Sequence, residues 1–319
     1  MSARILIGDA RVRLAELDDG SVQTCITSPP YFRLRDYGHG DQMGLESTPD
    51  EYVKGMVDLF REVWRVLADD GTLWLNLGDS YVTAPKGSGG VSGLGGRPNL
   101  PSVPRNAPGL KQKDLIGAPW RVALALQADG WWLRQDIIWA KPNPMPESVT
   151  DRCTKSHEYL FLLSKSARYF YDHEAVKEEA SGPPQTRDRN TEGYGAALGD
   201  GRDRWSPGER TYGEDGLRNK RDVWTIPTKP FKCAHFAVMP EALVEPCVLA
   251  GSREGDTVLD PFAGSGTVGV VALRHQRNFV GCELNPEYAE MAKNRITDDA
   301  PMLNEVEIDC GQSLKGAGE

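Results

Sequence analysis

Apolar residues occur along this chain in short uninterrupted runs, which alternate with longer segments where apolar residues recur every three or four positions. A short run bounded by glycine or aspartate is typical of a buried strand, and the longer spacing is typical of an amphipathic helix. The runs predict strands at residues 5–7, 21–27, 72–77, 136–140, 159–164, 257–260 and 278–282, and the spacing predicts helices at 10–17, from 49 to about 67, and at 117–127. Strands that alternate with helices predict an α/β fold with a mostly parallel sheet.

The clearest of these helices begins at Pro49. Its apolar side is formed by Tyr52, Met56, Leu59, Phe60, Val63, Trp64 and Leu67. Gly71 is expected to mark the turn between this helix and the strand at 72–77, because glycine after the last periodic residue commonly ends a helix.

Polar residues follow the first two predicted strands directly. Gly8-Asp9 follows one, and Ser28-Pro29-Pro30-Tyr31 follows the other. Two consecutive prolines fix φ at about −65° and keep the preceding residue extended, so the Ser28 hydroxyl and the Pro29 carbonyl are held at the strand's tip. Such a rim can accept hydrogen bonds from the exocyclic amine of a nucleobase, and Tyr31 supplies a ring on which an extruded base can stack. A stiff exit from the strand is the alternative interpretation.

A glycine turn follows the predicted strand at 257–260. Gly264-Ser265-Gly266-Thr267-Val268-Gly269 fits the pattern G-x-G-x-x-G, which alone weakly indicates a dinucleotide site. Asp260 changes this interpretation, because a carboxylate before the glycines disfavours a pyrophosphate and favours an ammonium or a sulfonium. Glu283 ends the next strand and is placed to accept both ribose hydroxyls of an adenosine. A cofactor with ribose, adenine and a positive charge but no phosphate fits S-adenosylmethionine.

Charge is unevenly distributed along the 319 residues, whose formal net charge is −9. Residues 84–121 carry six basic side chains against one acidic one, and the chain from 283 onward carries nine acidic against three basic. The basic loop at 83–113 is rich in Gly, Ser and Pro and predicts a clamp on DNA, with a surface loop as the alternative. In 181–222, arginines interleave with Tyr194, Trp205 and Tyr212, which suits the reading of base edges; a linker is the alternative there.

The six cysteines are scattered without a C-x-x-C pair, which predicts free buried thiols in a reducing cytoplasm. The five histidines share no ligand spacing, so no metal site is expected. No stretch approaches about 18 uninterrupted apolar residues, and the N-terminus lacks a signal-peptide pattern. We therefore expect a soluble, cytoplasmic protein that does not associate with membranes.

Together the two motifs resemble the beta class of amino-methylating DNA methyltransferases, which are site-specific enzymes that modify cytosine N4 or adenine N6. The resemblance extends over most of the chain and rests on Gly8-Asp9, Ser28-Pro29-Pro30-Tyr31 and Asp260-Pro261-Phe262-Ala263-Gly264-Ser265-Gly266-Thr267, in that order. Lys141-Pro142-Asn143, His157-Glu158-Tyr159 and His235-Phe236 also resemble stretches of that family. The resemblance implies a class I S-adenosylmethionine-dependent methyltransferase fold, Rossmann-like and circularly permuted, with an inserted target-recognition region.

The resemblance also implies a division of the chain. Residues 1–180 would be the catalytic half with the basic loop, 181–222 the target-recognition region, and 223–319 the cofactor-binding half. Catalytic roles are implied for Ser28, Pro29, Pro30 and Tyr31. The residues implied to bind the cofactor are Asp9, Phe236, Asp260, Pro261, Phe262, Gly264, Ser265, Gly266, Thr267 and Glu283.

Serine rather than aspartate at position 28 resembles the cytosine-N4 branch of the family. The sequence therefore predicts methylation of cytosine N4 in double-stranded DNA by base flipping and direct in-line transfer, with adenine N6 as the alternative. Methylation of a protein or another amine is a more distant alternative, and the intact rim argues against a non-catalytic DNA-binding module. Direct transfer needs no covalent enzyme intermediate, so no cysteine is given a catalytic role. The family also admits a homodimer and a cognate restriction endonuclease as partners.

Overall fold

The computed structural model describes residues 1–36, 39–83, 108–180, 185–187, 210–212, 216–228, 238–299 and 305–311. The chain forms two compact units. The first comprises Met1–Tyr171 together with Asp222–Glu319, and the second comprises Asp172–Arg221. The second unit overlaps the predicted target-recognition region at 181–222 but begins earlier in the chain. Its assignment to target recognition stays a prediction.

The described residues contain thirteen strands. They are β1 (Ser2–Ile7), β2 (Val22–Thr27), β3 (Leu67–Leu77), β4 (Trp132–Ala140), β5 (His157–Ser164), β6 (Glu178–Glu179), β7 (Gln185–Arg187), β8 (Arg210–Tyr212), β9 (Leu217–Arg218), β10 (Val223–Thr225), β11 (Thr257–Asp260), β12 (Asn278–Glu283) and β13 (Glu305–Asp309). Nine of them form the main sheet of the first unit, in the order β10-β4-β5-β3-β2-β11-β12-β1-β13.

Neighbouring strands of this sheet are parallel except at β5, which is antiparallel to both β3 and β4. The carboxyl ends of the parallel strands therefore meet at one edge of the sheet. Because β5 runs the other way, its first residues, rather than its last, reach that same edge. The mostly parallel α/β sheet confirms the predicted fold class.

Helices cover both faces of the main sheet. They are α1 (Ala10–Arg13), α2 (Pro49–Val66), α3 (Ala118–Ala128), α4 (Glu241–Gly251), α5 (Thr267–Arg274) and α6 (Pro286–Asp299). Leu73 and Leu75 of β3 join the apolar core with α2 and α3. Trp74 points to the opposite face, as alternate residues of a strand do, and lies beside Gly251 at the end of α4. The first unit therefore has three layers, with helices on each side of the sheet.

The sequence around α2 explains where the helix begins and which side it buries. The Thr48 hydroxyl accepts a hydrogen bond from the Glu51 N–H at 3.1 Å, and the Glu51 carboxylate accepts one from the Thr48 N–H at 3.2 Å. This reciprocal capping box satisfies N–H groups that have no partner inside the helix. The buried side chains include the predicted Tyr52, Met56, Leu59, Phe60 and Val63. Each contributes roughly 1.5–3 kcal/mol through burial.

The boundary between α2 and β3 differs from the prediction. Leu67, predicted on the apolar side of the helix, is the first residue of β3, and Gly71 lies inside that strand rather than in a turn. The register of β3 against β2 shifts between Val22 and Thr24. A Cβ on Gly71 would lie 2.9 Å from the carbonyl oxygen of Ala68. Gly71 is thus required by a close backbone approach in an irregular strand, and a glycine in a sequence signals this as readily as it signals a turn.

Two further expectations are corrected by the structure. The helix expected at 10–17 is divided into α1 and a 3₁₀ turn at Leu14–Glu16. Cys25, Cys247 and Cys282 are buried free thiols as expected, whereas Cys153 and Cys310 are exposed, and Cys233 lies outside the described residues. In the part of the chain that is described, none of the helices combines the length and hydrophobicity needed to cross a bilayer.

The second unit contains two short antiparallel pairs, β6 with β9 and β7 with β8. Its Glu178 carboxylate binds Arg218 at 2.9 Å and Arg221 at 2.6 Å. Tyr194 and Trp205, which we predicted to read base edges, lie outside the described residues, as do residues 84–107 of the basic loop.

Candidate active site

A cavity of about 310 Å³ lies at the edge of the main sheet where the carboxyl ends of the parallel strands meet. Strands β1, β2, β11 and β12 bring residues from both motifs to its wall. The predicted site residues that line it are Asp9, Ser28, Pro29, Pro30, Tyr31, Asp260, Pro261, Phe262, Gly264, Ser265, Thr267 and Glu283. Gly266 does not line the cavity, and Phe236 lies outside the described residues.

The Ser28-Pro29-Pro30-Tyr31 rim is held from behind by α2 and by a neighbouring loop. Tyr52 of α2 donates its hydroxyl to the carbonyl oxygen of Pro30 at 2.9 Å. Gly44 packs against the same proline with φ +95°, and a Cβ there would lie 3.0 Å from the Pro30 Cβ. The Pro30 carbonyl is therefore already hydrogen-bonded. The Pro29 carbonyl stays the predicted main-chain acceptor of the rim.

Tyr31 is bound through its hydroxyl group. That hydroxyl lies 2.7 Å from Glu158 Oε2 and 3.1 Å from Asn76 Oδ1, and it accepts a hydrogen bond from Ser28 at 3.3 Å. The ring packs on Gly78, where a Cβ would come within 2.5 Å of it. Burial and the charge of Glu158 raise the pKa of Tyr31 well above its ordinary value of 10.0, so the hydroxyl stays protonated. The predicted stacking role uses the ring alone and gives no function to the hydroxyl.

Asp260 lies at the end of β11 and is 2% exposed. Its Oδ1 accepts hydrogen bonds from the Thr27 hydroxyl at 2.6 Å and from the Phe262 N–H at 3.0 Å. Burial raises the pKa of this carboxyl from 3.8 to about 7, although both hydrogen bonds act to lower it. Within the described residues, no basic side chain pairs with Asp260. A buried carboxylate without a cationic partner favours the binding of a cation.

Glu283 ends β12 and holds the glycine turn. Its Oε2 accepts a hydrogen bond from the Gly264 N–H at 2.8 Å, and its Oε1 accepts one from the Asn285 N–H at 2.9 Å. Burial raises the pKa of this carboxyl above its ordinary value of 4.5, and the N–H donors act in the opposite direction. A carboxylate has about four acceptor positions, so both oxygens can still accept from a ribose. The contact with the ribose hydroxyls stays a prediction.

Replacing Glu283 with alanine is expected to weaken S-adenosylmethionine binding by roughly 1.5–3 kcal/mol, the usual contribution of hydrogen bonds to a charged group. Titration calorimetry measures this loss directly. Glu290→Ala is the matched control, because this acidic residue of α6 is exposed and lies outside the main cavity. If both variants bound the cofactor as tightly as the unmodified protein, the ribose would not be held by Glu283.

The rest of the glycine turn has packing contacts of its own. Gly266 has φ +76°, and a Cβ there would lie 2.9 Å from the Cβ of Ala292 in α6. The hydroxyls of Ser265 and Thr267 accept hydrogen bonds from Arg295 at 3.2 Å and 2.8 Å. Gly266 thus permits α6 to pack closely against the turn, and Arg295 fixes the two hydroxyls. Cofactor contacts by these three residues stay predictions.

Asp9 caps α1 and forms an ion pair. Its Oδ1 accepts a hydrogen bond from the Arg11 N–H at 2.9 Å, and the Arg11 guanidinium binds both carboxylate oxygens. Asp9 also lines the cavity. The predicted contact between Asp9 and the cofactor therefore has to coexist with this ion pair, and it stays a prediction.

Asn76, Lys141 and Glu158 are among the residues of the cavity wall that were given no role by the sequence. Asn76 lies in β3, and its Nδ2 donates to the Tyr159 carbonyl at 3.0 Å. Lys141 follows β4 and forms an ion pair with Glu158 at the start of β5. A single polar residue within the apolar run Leu73-Trp74-Leu75-Asn76-Leu77 is a signal that could have identified Asn76. The other two belong to stretches noted above only for their resemblance to family sequences.

The residues at the glycine turn fit S-adenosylmethionine. The buried carboxylate of Asp260 and the partly buried carboxylate of Glu283 suit a cationic ligand and would repel a phosphate. Gly264 has φ +52°, a conformation that favours glycine and brings the backbone of the turn close to the cavity. Pro261 and Phe262 add apolar surface to the same wall, which suits a flat heterocycle.

Comparisons with known proteins identify the family to which the chain is related. The family model described as DNA methylase matches residues 22–294. The type II methyltransferase M.Cfr9I of Citrobacter freundii is 47% identical over 300 residues, which cover 92% of this chain and 87% of the relative. The type II methyltransferase M.SmaI of Serratia marcescens is 48% identical over 295 residues, which cover 92% and 91%.

Solved structures share the fold. TTHA0409 of Thermus thermophilus, in complex with S-adenosyl-L-methionine, has a TM-score of 0.62 at 25% identity and covers 98% of this chain and 99% of its own. The cytosine-N4-specific PvuII DNA methyltransferase has a TM-score of 0.61 at 18% identity and covers 97% of this chain and 95% of its own.

Proposed function

Because the chain belongs to the N6/N4 DNA methylase family, we propose that it methylates the N4 amine of cytosine in duplex DNA. The membership confirms the resemblance inferred from the two motifs. The chain is a type II, S-adenosylmethionine-dependent DNA methyltransferase of the N4/N6 class. Enzymes of that class methylate either cytosine N4 or adenine N6, and our proposal is that this chain methylates cytosine N4.

The observation that carries this choice is the Ser28 hydroxyl at the cavity wall. Strand β2 brings a hydroxyl, and not a carboxylate, to the first position of the rim. Since Ser28 donates its proton toward Tyr31, its oxygen lone pairs are available to accept from an amine. Serine at this position is the feature that resembles the cytosine-N4 branch, and adenine N6 is the other target within the class.

The residues at the rim orient the target amine. Ser28 Oγ and the Pro29 carbonyl accept its two N–H bonds, which directs the nitrogen lone pair away from both acceptors. Asp260 and Glu283, at the ends of the neighbouring strands β11 and β12, would hold the cofactor. Bound S-adenosylmethionine supplies a methyl group attached to a positively charged sulfur.

The buried thiols near the site support direct transfer. Burial raises the pKa of Cys282 to about 12, and burial also raises the pKa of Cys25 well above its ordinary value of 9.0. A thiol is nucleophilic only as the thiolate, so neither cysteine can attack the base near neutral pH. Both pKa directions support a transfer in which the enzyme positions the amine and forms no covalent intermediate.

We assign DNA contact to the basic loop and sequence choice to residues 181–222. Among the described residues of the loop, Lys113 pairs with Asp151 at 2.6 Å, and both side chains are exposed. Such exposed pairs contribute only about 0–1 kcal/mol, so a DNA phosphate can replace Asp151 at little cost. The homodimer and the cognate endonuclease stay predictions.

The target base is tested by digesting methylated DNA to nucleosides and identifying the product by mass spectrometry. DNA incubated with the protein and S-adenosylmethionine is expected to yield N4-methylcytosine, and DNA incubated with the cofactor alone should yield none. N6-methyladenine as the product would overturn the choice of cytosine. Methylation of protein but not DNA would overturn the proposed function as a whole.

A further inference from the structure

A chain of hydrogen bonds links the rim to a charged pair on the cavity wall. Ser28 Oγ donates to the Tyr31 hydroxyl at 3.3 Å, and the Tyr31 hydroxyl donates to Glu158 Oε2 at 2.7 Å. The other oxygen of Glu158 binds Lys141 Nζ. All four residues line the cavity that holds the rim.

The hydrogen bonds from Ser28 to Glu158 all donate in the same direction. A tyrosine hydroxyl has one proton, and Tyr31 has two acceptors within reach, Glu158 Oε2 at 2.7 Å and Asn76 Oδ1 at 3.1 Å. Bonds to a charged acceptor are shorter and stronger than bonds to a neutral one. The proton of Tyr31 therefore points to Glu158, and the Tyr31 oxygen is left to accept from Ser28. Each donor in the chain faces away from the place where the target amine binds.

The need to anchor Tyr31 does not account for the charged pair. Asn76 alone would satisfy a buried tyrosine hydroxyl. The side chains of Lys141 and Glu158 are only 16% and 18% exposed, and the desolvation of a buried ion pair can outweigh its attraction. Glu158 reaches this edge because β5 is reversed in the sheet. Glu158 is therefore placed to accept a proton that passes through the hydroxyls of Ser28 and Tyr31.

We propose that Ser28, Tyr31 and Glu158 conduct the proton that the target amine must lose when it is methylated. This inference rests on the proposed function and specifies how the rim completes the reaction. The amine nitrogen uses its lone pair to form the new N–C bond while the C–S bond breaks and leaves its electron pair on sulfur. The nitrogen then carries a positive charge and one surplus proton.

That proton passes to Ser28 Oγ as the Ser28 proton passes to Tyr31 and the Tyr31 proton passes to Glu158 Oε2. Both hydroxyls end with one proton each, and Glu158 ends neutral beside Lys141. Glu158 afterwards releases the proton to water. Because the Tyr31 pKa lies well above its ordinary value, Tyr31 does not start as a phenolate. It transmits a proton rather than storing one.

Glu158→Gln and Tyr31→Phe test the proposal, since each removes one member of the chain and keeps its shape. We expect each to slow single-turnover methylation by about 100-fold, the lower range for proton transfer by a positioned side chain. The double variant should be no slower than either single variant, because the residues act in series. If the losses of the two single variants multiplied in the double variant, the relay would be overturned.

Lys155→Met is the matched control for the charged wall. Lys155 comes from the same connection as Lys141, but its Nζ donates to the Asp79 carbonyl at 2.8 Å and it does not line the cavity. The methylation rate of Lys155→Met should match that of the unmodified enzyme, whereas Lys141→Met should slow methylation. Equal rates for the two lysine variants would contradict a role for the Lys141 charge.

A binding measurement separates the relay from base stacking. DNA with 2-aminopurine at the target position reports base extrusion, and S-adenosylhomocysteine fills the cofactor site without allowing reaction. Glu158→Gln and Tyr31→Phe should give the full fluorescence increase, and a loss of that signal would assign both residues to base binding instead. Product analysis of the unmodified enzyme tests the proposed base separately, because adenine N6 would also lose a proton through the same chain.

Discussion

Asp260→Asn is expected to make the protein more stable well above neutral pH and to weaken its binding of S-adenosylmethionine. Asp260 is buried, and its pKa is raised from 3.8 to about 7. At about 1.4 kcal/mol per pKa unit, ionising this carboxyl in the folded protein costs up to roughly 4 kcal/mol. Asparagine can accept the same bonds from Thr27 and Phe262 at its carbonyl oxygen, so it avoids this penalty without losing those contacts.

The sign of the pH dependence follows from proton binding. Between the ordinary pKa and about 7, Asp260 binds a proton in the folded state but not in the unfolded state, so its contribution to stability falls as pH rises. The stability gained by Asp260→Asn should therefore grow from near zero at about pH 4 to its maximum at about pH 8. Thermal melting across this range measures the gain. Asp298→Asn, an exposed acid on α6, should show no such trend, and parallel melting curves for the two variants would contradict the raised pKa of Asp260.

The affinity for the cofactor should change with pH in the opposite direction, because it should rise where the contribution of Asp260 to stability falls. A cationic ligand favours the ionised form of Asp260, so binding by the unmodified protein should tighten as pH rises toward and through about 7. Asp260→Asn should bind more weakly and lack this pH dependence. The stabilised variant would thus lose function, a common result when a strained site is relieved.

Tyr31→Ala is expected to abolish most base extrusion as well as turnover. The ring offers a stacking surface worth about 1–3 kcal/mol per base, and this energy offsets the unstacking of the target nucleotide. The substitution also removes the packing of the ring on Gly78. The 2-aminopurine signal should fall together with the methylation rate.

Ser28→Ala provides the comparison for Tyr31→Ala. It removes an acceptor for the amine but keeps the ring, so turnover should fall while extrusion and the affinities for DNA and cofactor stay nearly unchanged. Tyr31→Phe, which keeps the ring, should likewise retain extrusion. If Ser28→Ala abolished the fluorescence signal and Tyr31→Ala preserved it, the roles assigned to these two residues would have to be exchanged.

The meeting of the two motifs could be predicted from the sequence. Each of the three residues Ser28, Asp260 and Glu283 ends an apolar run or directly follows one. Parallel strands place their carboxyl ends at one edge of a sheet, so these residues were expected to lie close together. The apolar side of α2 could be predicted for the same kind of reason, because its period is regular over the whole helix. In both cases a local pattern was sufficient.

Strand direction could not be predicted in this way. An apolar run has the same pattern in either direction, so nothing in residues 159–164 showed that β5 is reversed and that Glu158 lies beside Tyr31. The role of Gly266 was similarly hidden, because it depends on contact with Ala292 in a helix distant in sequence. Gly71 was misassigned because a glycine marks a turn and a tight strand contact equally well. These features depend on tertiary neighbours.

The reversed strand β5 also makes the connection that precedes it a convenient place for protein engineering. Residues 141–156 start and finish at the same edge, where the Lys141 N–H donates to the Ser156 carbonyl at 2.7 Å and Asn143 exchanges two hydrogen bonds with Thr228. Between these anchors the chain is largely exposed, and Met145 is 80% accessible. Closing a longer loop costs only about 0.6 kcal/mol for each doubling of its length. A foreign DNA-binding module fused into this connection would be delivered beside the active site, while both ends of the insertion remained fixed by the sheet.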